Sequence, residues 1–260
     1  MTSRRLTDDR VGSRDLTHWT TGAGRLLVTT VRRVSPHVAP HWVMIVTLLL
    51  GGLLVVGLTV GSAELYEAVS DTEGIAVLDV PVLEAAKSVR SPTTNDAVTF
   101  YTDLGSARVL PWLVAAATLA MAVRWRQWTP VVLVAAATLG SVVMTVVGKA
   151  VVGRTRPDLA DAVPPYESSG SFPSGHALNA VVVAGVLAYL LVRRQRAAWA
   201  RATTLSVATA FAVTMGLSRV YLGHHWLTDV LVAWTLGLAW LTVVLVAHRL
   251  FLTVTRDRSA

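Results

Sequence analysis

Residues 128–157 read WTPVVLVAAATLGSVVMTVVGKAVVGRTRP, an apolar run that ends in a short cluster of cations. Residues 128–148 contain no charged side chain and are as long as the roughly 20 apolar residues that a helix needs to cross a bilayer. Lys149, Arg154 and Arg156 follow directly, where such a helix would reach the headgroup region. The stretch therefore predicts a membrane-spanning helix with a basic group at one membrane edge.

The whole chain has the composition of a membrane protein. It has 260 residues, of which 53% are hydrophobic and 15% charged, and its mean hydropathy is +0.54. Soluble domains carry about 25% charged residues. Cysteine is absent, which excludes disulfides, thiolate catalysis and cysteine-ligated zinc. The net charge of +7 comes from short clusters between apolar runs, a pattern typical of membrane anchors and not of a nucleic-acid-binding surface.

Five further charge-free stretches bring the predicted spans to six. They are residues 42–63, 109–123, 177–192, 202–218 and 230–247. The predicted fold is an all-α integral membrane protein with a six-transmembrane-helix bundle in residues 41–250. We expect residues 1–40 to form a loosely structured arm, although residues 16–33 have a helical amphipathic pattern that would suit the inner leaflet. Residues 251–260 are predicted to be a short tail.

The distribution of Lys and Arg predicts the orientation of these spans. With the N-terminus inside, sixteen of the 23 basic residues lie in inner segments. The seven that lie outside are Lys87, Arg90, Arg108, Lys149, Arg154, Arg156 and Arg219. The positive-inside rule therefore favours an N-in, C-in topology in the plasma membrane. Three polar motifs then all fall at the outer, extracytoplasmic edge, which predicts a site there.

Two outer segments carry weaker signals. The spacing of apolar residues between Ile75 and Ala86 predicts one short surface helix bounded by Ser91-Pro92. The acidic residues Asp158, Asp161 and Glu167 lie between the first two motifs. We expect them to form a solvated loop, with gating of a site as the alternative.

The first motif is K-x6-R-P, with Lys149 and Arg156. Two turns of continuous helix would bring both cations to the same face, although Gly153 and Pro157 make such continuity doubtful. Cations in this position suit the binding of phosphate oxygens. Two snorkelling anchors at a helix end are the alternative interpretation.

The second motif is P-S-G-H at residues 173–176, directly before an apolar helix. The free N–H groups and positive dipole of a helix start form an anion site. Gly175 permits close approach of backbone to phosphate, and Ser174 can cap the helix or donate to an oxygen. An ordinary N-cap followed by an interfacial His176 is the alternative.

The third motif is S-R-x5-H-x3-D, from Ser218 to Asp229. If the last span begins near His225, then His225 and Asp229 form an i, i+4 pair on one helix face. The carboxylate would hold one imidazole nitrogen and leave the other free to attack, with Arg219 close by. A zinc site built from His176, His224, His225 and Asp229 is disfavoured, because the surrounding Lys and Arg would repel a dication.

Together these motifs resemble the signature of the type 2 phosphatidic acid phosphatase superfamily, the lipid phosphate phosphatases, over roughly residues 95–250. The resemblance implies a helical core of six spans, no metal and no other cofactor. It implies that His225 is a nucleophile that forms a phosphohistidine and that Asp229 orients it. His176 would protonate the leaving alkoxide and then activate water. The phosphate would be held by Lys149, Arg156, Ser174, Gly175 and Arg219.

The expected function is therefore hydrolysis of lipid phosphate monoesters or diphosphates at the outer membrane face. Candidate substrates are phosphatidate, phosphatidylglycerol phosphate and polyprenyl diphosphate. A lipid phosphotransferase with an alcohol acceptor, or a non-catalytic membrane protein, is the alternative. The vanadate-binding haloperoxidases, which share the fold family, are disfavoured because they are soluble.

Overall fold

The computed structural model describes residues 9–68 and 74–259. Its regular secondary structure is helical except for a hairpin in which strand β1 (Arg10–Val11) pairs antiparallel with strand β2 (Arg14–Asp15). The helices are α1 (Gly22–Val34), α2 (Pro40–Ala68), α3 (Asp79–Ser88), α4 (Pro92–Asp103), α5 (Leu110–Trp125), α6 (Thr129–Val152), α7 (Gly175–Val192), α8 (Ala198–Tyr221) and α9 (Leu227–Asp257). The prediction of an all-helical protein is confirmed.

Four of the described helices are long and apolar enough to cross a bilayer, namely α2, α6, α7 and α9. The protein is therefore a multi-pass membrane protein. Helix α5 coincides with a further predicted span but has only 16 residues, and α8 coincides with another. A total of six crossings, and the N-in orientation, stay predictions.

Helix α7 lies at the centre of the bundle. Of the four apolar helices it has the largest buried share, and it packs against α6, α8 and α9. Glycine lets α6 and α9 approach closely: a Cβ on Gly140 would lie 2.1 Å from the indole of Trp240. The Trp240 Nε1 donates to the carbonyl oxygen of Ala137 at 2.9 Å, so the joint is both tight and hydrogen-bonded.

In the described residues from 9 to 40, the N-terminal arm is folded, contrary to the expectation of a loosely structured arm. Thr21 caps α1 by accepting from the Gly24 N–H at 3.1 Å. The arm packs on α9, where the Trp19 Nε1 donates to Thr253 Oγ1 at 3.2 Å. Helix α9 continues to Asp257, beyond the predicted end of the last span at residue 247. The arm packs on this extension of α9, which the apolar pattern of the sequence does not predict.

The segment between α2 and α5 contains two helices where the sequence predicted one. Helix α3 follows a 3-10 turn at Gly74–Leu78, and α4 begins at Pro92. Ser91 caps α4, since its Oγ accepts from the Thr94 N–H at 3.2 Å and the Thr94 Oγ1 accepts from the Ser91 N–H at 2.9 Å. Ser91-Pro92 therefore starts a helix as well as ending the preceding one.

Candidate active site

The residues of all three motifs meet at one end of the bundle. The carboxyl ends of α6 and α8 carry the first motif and Arg219, while the amino ends of α7 and α9 carry the second motif and Asp229. The backbone N–H of Ser174 donates to the carbonyl oxygen of Asp229 at 3.4 Å, which joins the two amino ends directly. Stretches up to 80 positions apart thus enclose one polar site at the edge of an apolar bundle.

Lys149 and Arg156 bind the same loop, but Lys149 lies within α6 and Arg156 lies beyond the end of that helix. Helix α6 ends at Val152, and Gly153 takes a left-handed conformation with φ of 59°, so Arg156 does not share a helix face with Lys149. The helix is therefore interrupted at Gly153, one of the two residues that made two continuous turns doubtful. The cations still converge, because the Lys149 Nζ donates to Gly170 O at 2.5 Å and the Arg156 Nη2 donates to the same oxygen at 3.3 Å.

Arg156 also contacts the predicted nucleophile. Its Nη1 lies 3.2 Å from the His225 Nε2 and donates to the carbonyl oxygen of His224. The Arg156 guanidinium therefore contacts both the imidazole of His225 and the loop that binds Lys149. The Nε2 edge of His225 faces the cationic part of the site.

The opposite edge of His225 faces Asp229. Helix α9 begins at Leu227, so His225 precedes it, and the expectation of a pair within one helix is corrected. The i, i+4 pair nevertheless forms, with His225 Nδ1 and Asp229 Oδ2 3.5 Å apart. The same oxygen accepts from Ser171 Oγ at 2.5 Å and from the Trp226 backbone N–H at 3.0 Å. Asp229 is thus held in place by groups that the motif does not include.

His225 is uncharged at neutral pH. Burial, assisted by the charges of Arg156 and Arg219, lowers the pKa of His225 to about 4, while Asp229 acts in the opposite direction. A neutral imidazole with its Nδ1 towards the carboxylate carries the free electron pair on Nε2. The side chain that faces the cations is therefore in the form required of a nucleophile.

The neighbouring His224 has a different setting. Its Nε2 lies 2.7 Å from the carbonyl oxygen of Val163, and burial and the charge of Arg219 lower its pKa to about 4. This contact fixes the His224 ring to the loop between α6 and α7. Within the described residues, no group of three or more His, Asp or Glu side chains is arranged to hold a metal ion.

The second motif presents unsatisfied donors, as an anion site requires. Ser174 is the N-cap residue of α7 but makes no side-chain cap, and its buried Oγ has no hydrogen-bond partner among the described residues. Of its two predicted roles, donation to a ligand oxygen is therefore the one still open to it. A Cβ on Gly175 would lie 3.2 Å from the Thr145 side chain, so glycine suits the close packing here. The His176 ring packs against Gly105 and interacts electrostatically with Arg219 and His225.

Arg219 is buried at the end of α8 and is paired with Glu167. The Arg219 Nη2 lies 2.7 Å from Glu167 Oε1, and Arg156 Nη2 lies 4.0 Å from Glu167 Oε2. Glu167 lies in an exposed loop, as expected, but its carboxylate also faces the cations of the site. Burial alone would raise the pKa of Glu167, but Arg219 and Arg156 outweigh it, and the pKa lies below its ordinary value. A carboxylate thus occupies part of the cationic site.

Three side chains of the site were not predicted from the sequence as site residues. Ser171 and Arg154 both bind Asp229, and Asp79 of α3 binds Arg154. Arg154 lies between the two cations of the first motif, which is a signal that could have identified it. Asp79 has no such signal, because it is 150 positions from Asp229 in the chain.

Comparison with known proteins identifies relatives of this arrangement. The PAP2 superfamily model matches residues 129–251, which include every motif residue. Phosphatidylglycerophosphatase B of Bacillus subtilis (strain 168) is 34% identical over 168 residues, which are 64% of this chain and 81% of the relative. A crystal structure of a transmembrane PAP2-type phosphatidylglycerolphosphate phosphatase from Bacillus subtilis matches with a TM-score of 0.61 at 31% identity. That match covers 76% of this chain and 92% of the other.

Proposed function

The chain belongs to the PAP2 superfamily and is a membrane phosphatase, and on this premise we propose that it hydrolyses lipid phosphates through a phosphohistidine on His225. We take phosphatidylglycerol phosphate as the first candidate substrate, since both relatives carry that activity in their names. Phosphatidate and polyprenyl diphosphate are further candidates.

The position of the His225 Nε2 carries this proposal. The Nδ1 side of the ring faces Asp229 and Ser171, whereas Nε2 faces Arg156 at 3.2 Å. A phosphate bound by Arg156 would therefore lie beside the free electron pair of a neutral imidazole. The imidazole lies between the orienting carboxylate on its Nδ1 side and the cation on its Nε2 side, which suits attack by Nε2 on a phosphate that Arg156 binds.

In the first step, the His225 Nε2 attacks phosphorus and the bond from phosphorus to the ester oxygen breaks. The leaving alkoxide takes a proton from His176, which gives the free lipid alcohol. The His225 ring now carries the phosphoryl group and a positive charge, which the Asp229 carboxylate stabilises.

In the second step, water replaces the lipid alcohol. His176 accepts a proton from the water as its oxygen attacks phosphorus, and the bond from phosphorus to Nε2 breaks. Inorganic phosphate leaves and His225 returns to its neutral form. An alcohol in place of water would give phosphoryl transfer to that acceptor, with the same bonds formed and broken.

The cations act on the charge of the transferring group. Lys149, Arg156 and Arg219 would surround its oxygens together with Ser174 Oγ and the Gly175 N–H. Such preorganised donors contribute most where charge develops in a site that excludes water, and loss of one costs on the order of 10²–10³ in rate. Three side-chain cations supply this stabilisation without a divalent metal, so we expect activity in the presence of a chelator.

The site lies at the end of apolar helices, which favours substrates that keep their tails in the bilayer and their phosphate at headgroup level. We propose that this end faces outwards from the plasma membrane. The six-span, N-in arrangement and the excess of Lys and Arg in the opposite segments support this orientation.

Phosphate release by purified protein tests the proposal. Wild type and His225→Ala are assayed in detergent with chelator against phosphatidylglycerol phosphate, phosphatidate and a polyprenyl diphosphate. We expect turnover by wild type and a loss on the order of 10⁴ or more in His225→Ala, because the nucleophile is removed. Acid-labile, alkali-stable phosphate on wild type during turnover would identify the phosphohistidine.

Turnover by His225→Ala at the wild-type rate would refute the mechanism. Transfer of phosphate to an added alcohol in preference to water would instead assign phosphotransferase activity to the same site. Tyr189→Phe is the matched control, because its hydroxyl lies 2.8 Å from His248 Nδ1, in a second buried pair that the proposed mechanism does not use.

A further inference from the structure

Arg154 lies between two buried carboxylates, one in the site and one outside it. Its Nη1 is 2.6 Å from Asp229 Oδ1, and its Nη2 is 2.7 Å from Asp79 Oδ2. The side chains of Arg154, Asp79 and Asp229 are 11%, 5% and 0% exposed. Asp79 begins α3, in the outer segment, and lies outside the residues that the family model matches.

Thr228 closes the connection between these groups. Its backbone N–H and its Oγ1 donate to the two oxygens of Asp79 at 2.9 and 2.6 Å. The Arg154 Nη1 donates to the same Thr228 Oγ1 at 2.8 Å. Because Thr228 directly precedes Asp229 in the first turn of α9, Asp79 fixes both the backbone and the charge partner of Asp229.

We propose that Asp79 is a positioning residue for the reaction, acting on His225 through Arg154 and Asp229. This inference rests on the proposed role of His225 as nucleophile. Asp79 touches neither the imidazole nor the phosphate site in the described structure. Its effect is to divide the guanidinium of Arg154 between two carboxylates, so that Nη1 binds Asp229 Oδ1 while Nη2 binds Asp79 Oδ2.

The other oxygen of Asp229 is thereby left for the nucleophile. Asp229 Oδ2 faces His225 Nδ1, Ser171 and the Trp226 N–H, while Oδ1 faces Arg154. Without the charge of Asp79, both Nη atoms of Arg154 are available to Asp229 in the bidentate geometry that Arg and carboxylates favour. Asp229 then turns from the imidazole, and the charge that stabilises the phosphorylated ring is lost.

The phosphate-binding cations are held by contacts with residues outside the Asp79–Arg154–Thr228 network. Lys149 and Arg156 bind the loop at Ser169 and Gly170, and Arg219 binds Glu167. Loss of Asp79 is therefore expected to change the chemical step and leave phosphate binding intact. A general loss of folding would instead change both.

Helix α3 does not depend on Asp79 alone for its place. Lys87 binds Asp161 at 2.5 Å, and the Arg90 guanidinium donates to the carbonyl oxygens of Asp161 and Tyr221 at 2.6 and 2.7 Å. These contacts lie at the far end of α3 and just beyond it. Asp79→Asn keeps the side-chain volume, removes the charge and replaces one acceptor oxygen with an amide donor. The contacts of Lys87 and Arg90 are expected to keep α3 docked in this variant.

The test compares Asp79→Asn with Asp161→Asn in detergent-purified full-length protein, using a lipid phosphate that the wild type hydrolyses. Asp161 is the matched control, since it is a carboxylate paired with α3 that has no part in the contacts to Asp229. We expect kcat of Asp79→Asn to fall about 10- to 100-fold, the usual effect of losing a supporting partner of a site residue. The KM and the inhibition constant for the product inorganic phosphate should stay within about twofold of wild type.

Asp161→Asn should keep the wild-type kcat. Thr228→Val, which removes the Oγ1 bond to Asp79, should lower kcat in the same direction with KM unchanged, and it decides the question if Asp79→Asn cannot be purified. Wild-type kcat in Asp79→Asn would overturn the inference, as would a loss expressed in KM and in inhibition by inorganic phosphate, or failure of both variants to fold.

His225→Ala is included as the reference. Activity in His225→Ala would refute the proposed mechanism itself, whereas an inactive His225→Ala beside a fully active Asp79→Asn would refute only the positioning role.

Discussion

At the level of single residues, His224 and His225 are adjacent in the sequence but have very different surroundings. His225 is buried between Arg156 and Asp229, while the adjacent His224 is fixed to the Val163 carbonyl oxygen. Both have a pKa lowered to about 4, first of all by burial, so both rings are neutral at pH 7. Charge therefore does not distinguish them. The distinction comes from what lies beside each Nε2, a cation for His225 and a carbonyl oxygen for His224.

Glu167 occupies, in the described structure, a position that a phosphate oxygen would take in the proposed complex. Its carboxylate contacts Arg219 at 2.7 Å and approaches Arg156 at 4.0 Å. Substrate phosphate must compete with this carboxylate for the same cations. The Glu167 side chain is 36% exposed, so solvent weakens its ion pair with Arg219. Substrate phosphate can therefore displace this carboxylate at a small cost in free energy.

We expect Glu167→Gln to bind inhibitory anions more tightly. The substitution keeps the shape of the side chain and removes the charge that competes for Arg219. The inhibition constant for orthovanadate, measured from the rate of phosphate release, should fall roughly threefold to tenfold. Asp158→Asn is the control, since it removes the same charge from an exposed position on the same loop. Weaker vanadate inhibition in Glu167→Gln would show that Glu167 supports the cations instead of competing for them.

At the level of helices, the site depends on how closely α6 and α9 pack. Lys149 lies at the end of α6, and Asp229 lies in the first turn of α9. The two helices contact each other where Trp240 covers Gly140 and donates to Ala137. The spacing that this contact sets in the bundle is carried along both helices to the site.

Gly140→Val should therefore destabilise the protein. A Cβ at this position would lie 2.1 Å from the Trp240 ring, and overpacking of this kind costs about 1–3 kcal/mol or more. We expect a lower midpoint of thermal unfolding in detergent, accompanied by a reduced kcat. The control is Gly57→Val in α2, where a Cβ would meet no atom within 4 Å. Equal midpoints for the two variants would contradict the close α6–α9 joint.

At the level of the whole molecule, the side chains of the candidate site lie together at one end of the helical bundle. The ends of α6 and α8 and the starts of α7 and α9 lie there, together with the outer helix α3. The opposite end holds the arm, which is tied to α9 by pairs such as Arg256 with Asp15 and Arg32 with Asp257. The proposed orientation places the first end outside the membrane and the second inside.

The absence of cysteine makes this orientation testable by labelling. Ala160→Cys and Ala198→Cys are matched variants at exposed alanines, one in the loop between α6 and α7 and the other at the start of α8. In intact cells, a membrane-impermeant maleimide should label only Ala160→Cys. Ala198→Cys should react only after the membrane is opened. The reverse pattern would place the site on the cytoplasmic face.

The sequence alone determined the class of the fold and the chemical content of the site. Long charge-free runs predict helices in lipid because apolar length and backbone hydrogen bonding are local properties. The residues of the three motifs were likewise predicted from the sequence. The structure brings together Lys149, Arg156, Ser174, Arg219, His225 and Asp229. The second helix of the outer segment and the docked arm were not predicted, because each depends on a surface offered by a distant part of the chain.

Tertiary structure decided which side chains support the nucleophile. Ser171, Arg154 and Asp79 reach Asp229 directly or through one another, from positions 58, 75 and 150 residues away. No periodicity in the sequence marks such partners. Their pairing arises from burial, since a carboxylate removed from water must find donors among whichever groups the packed helices bring near.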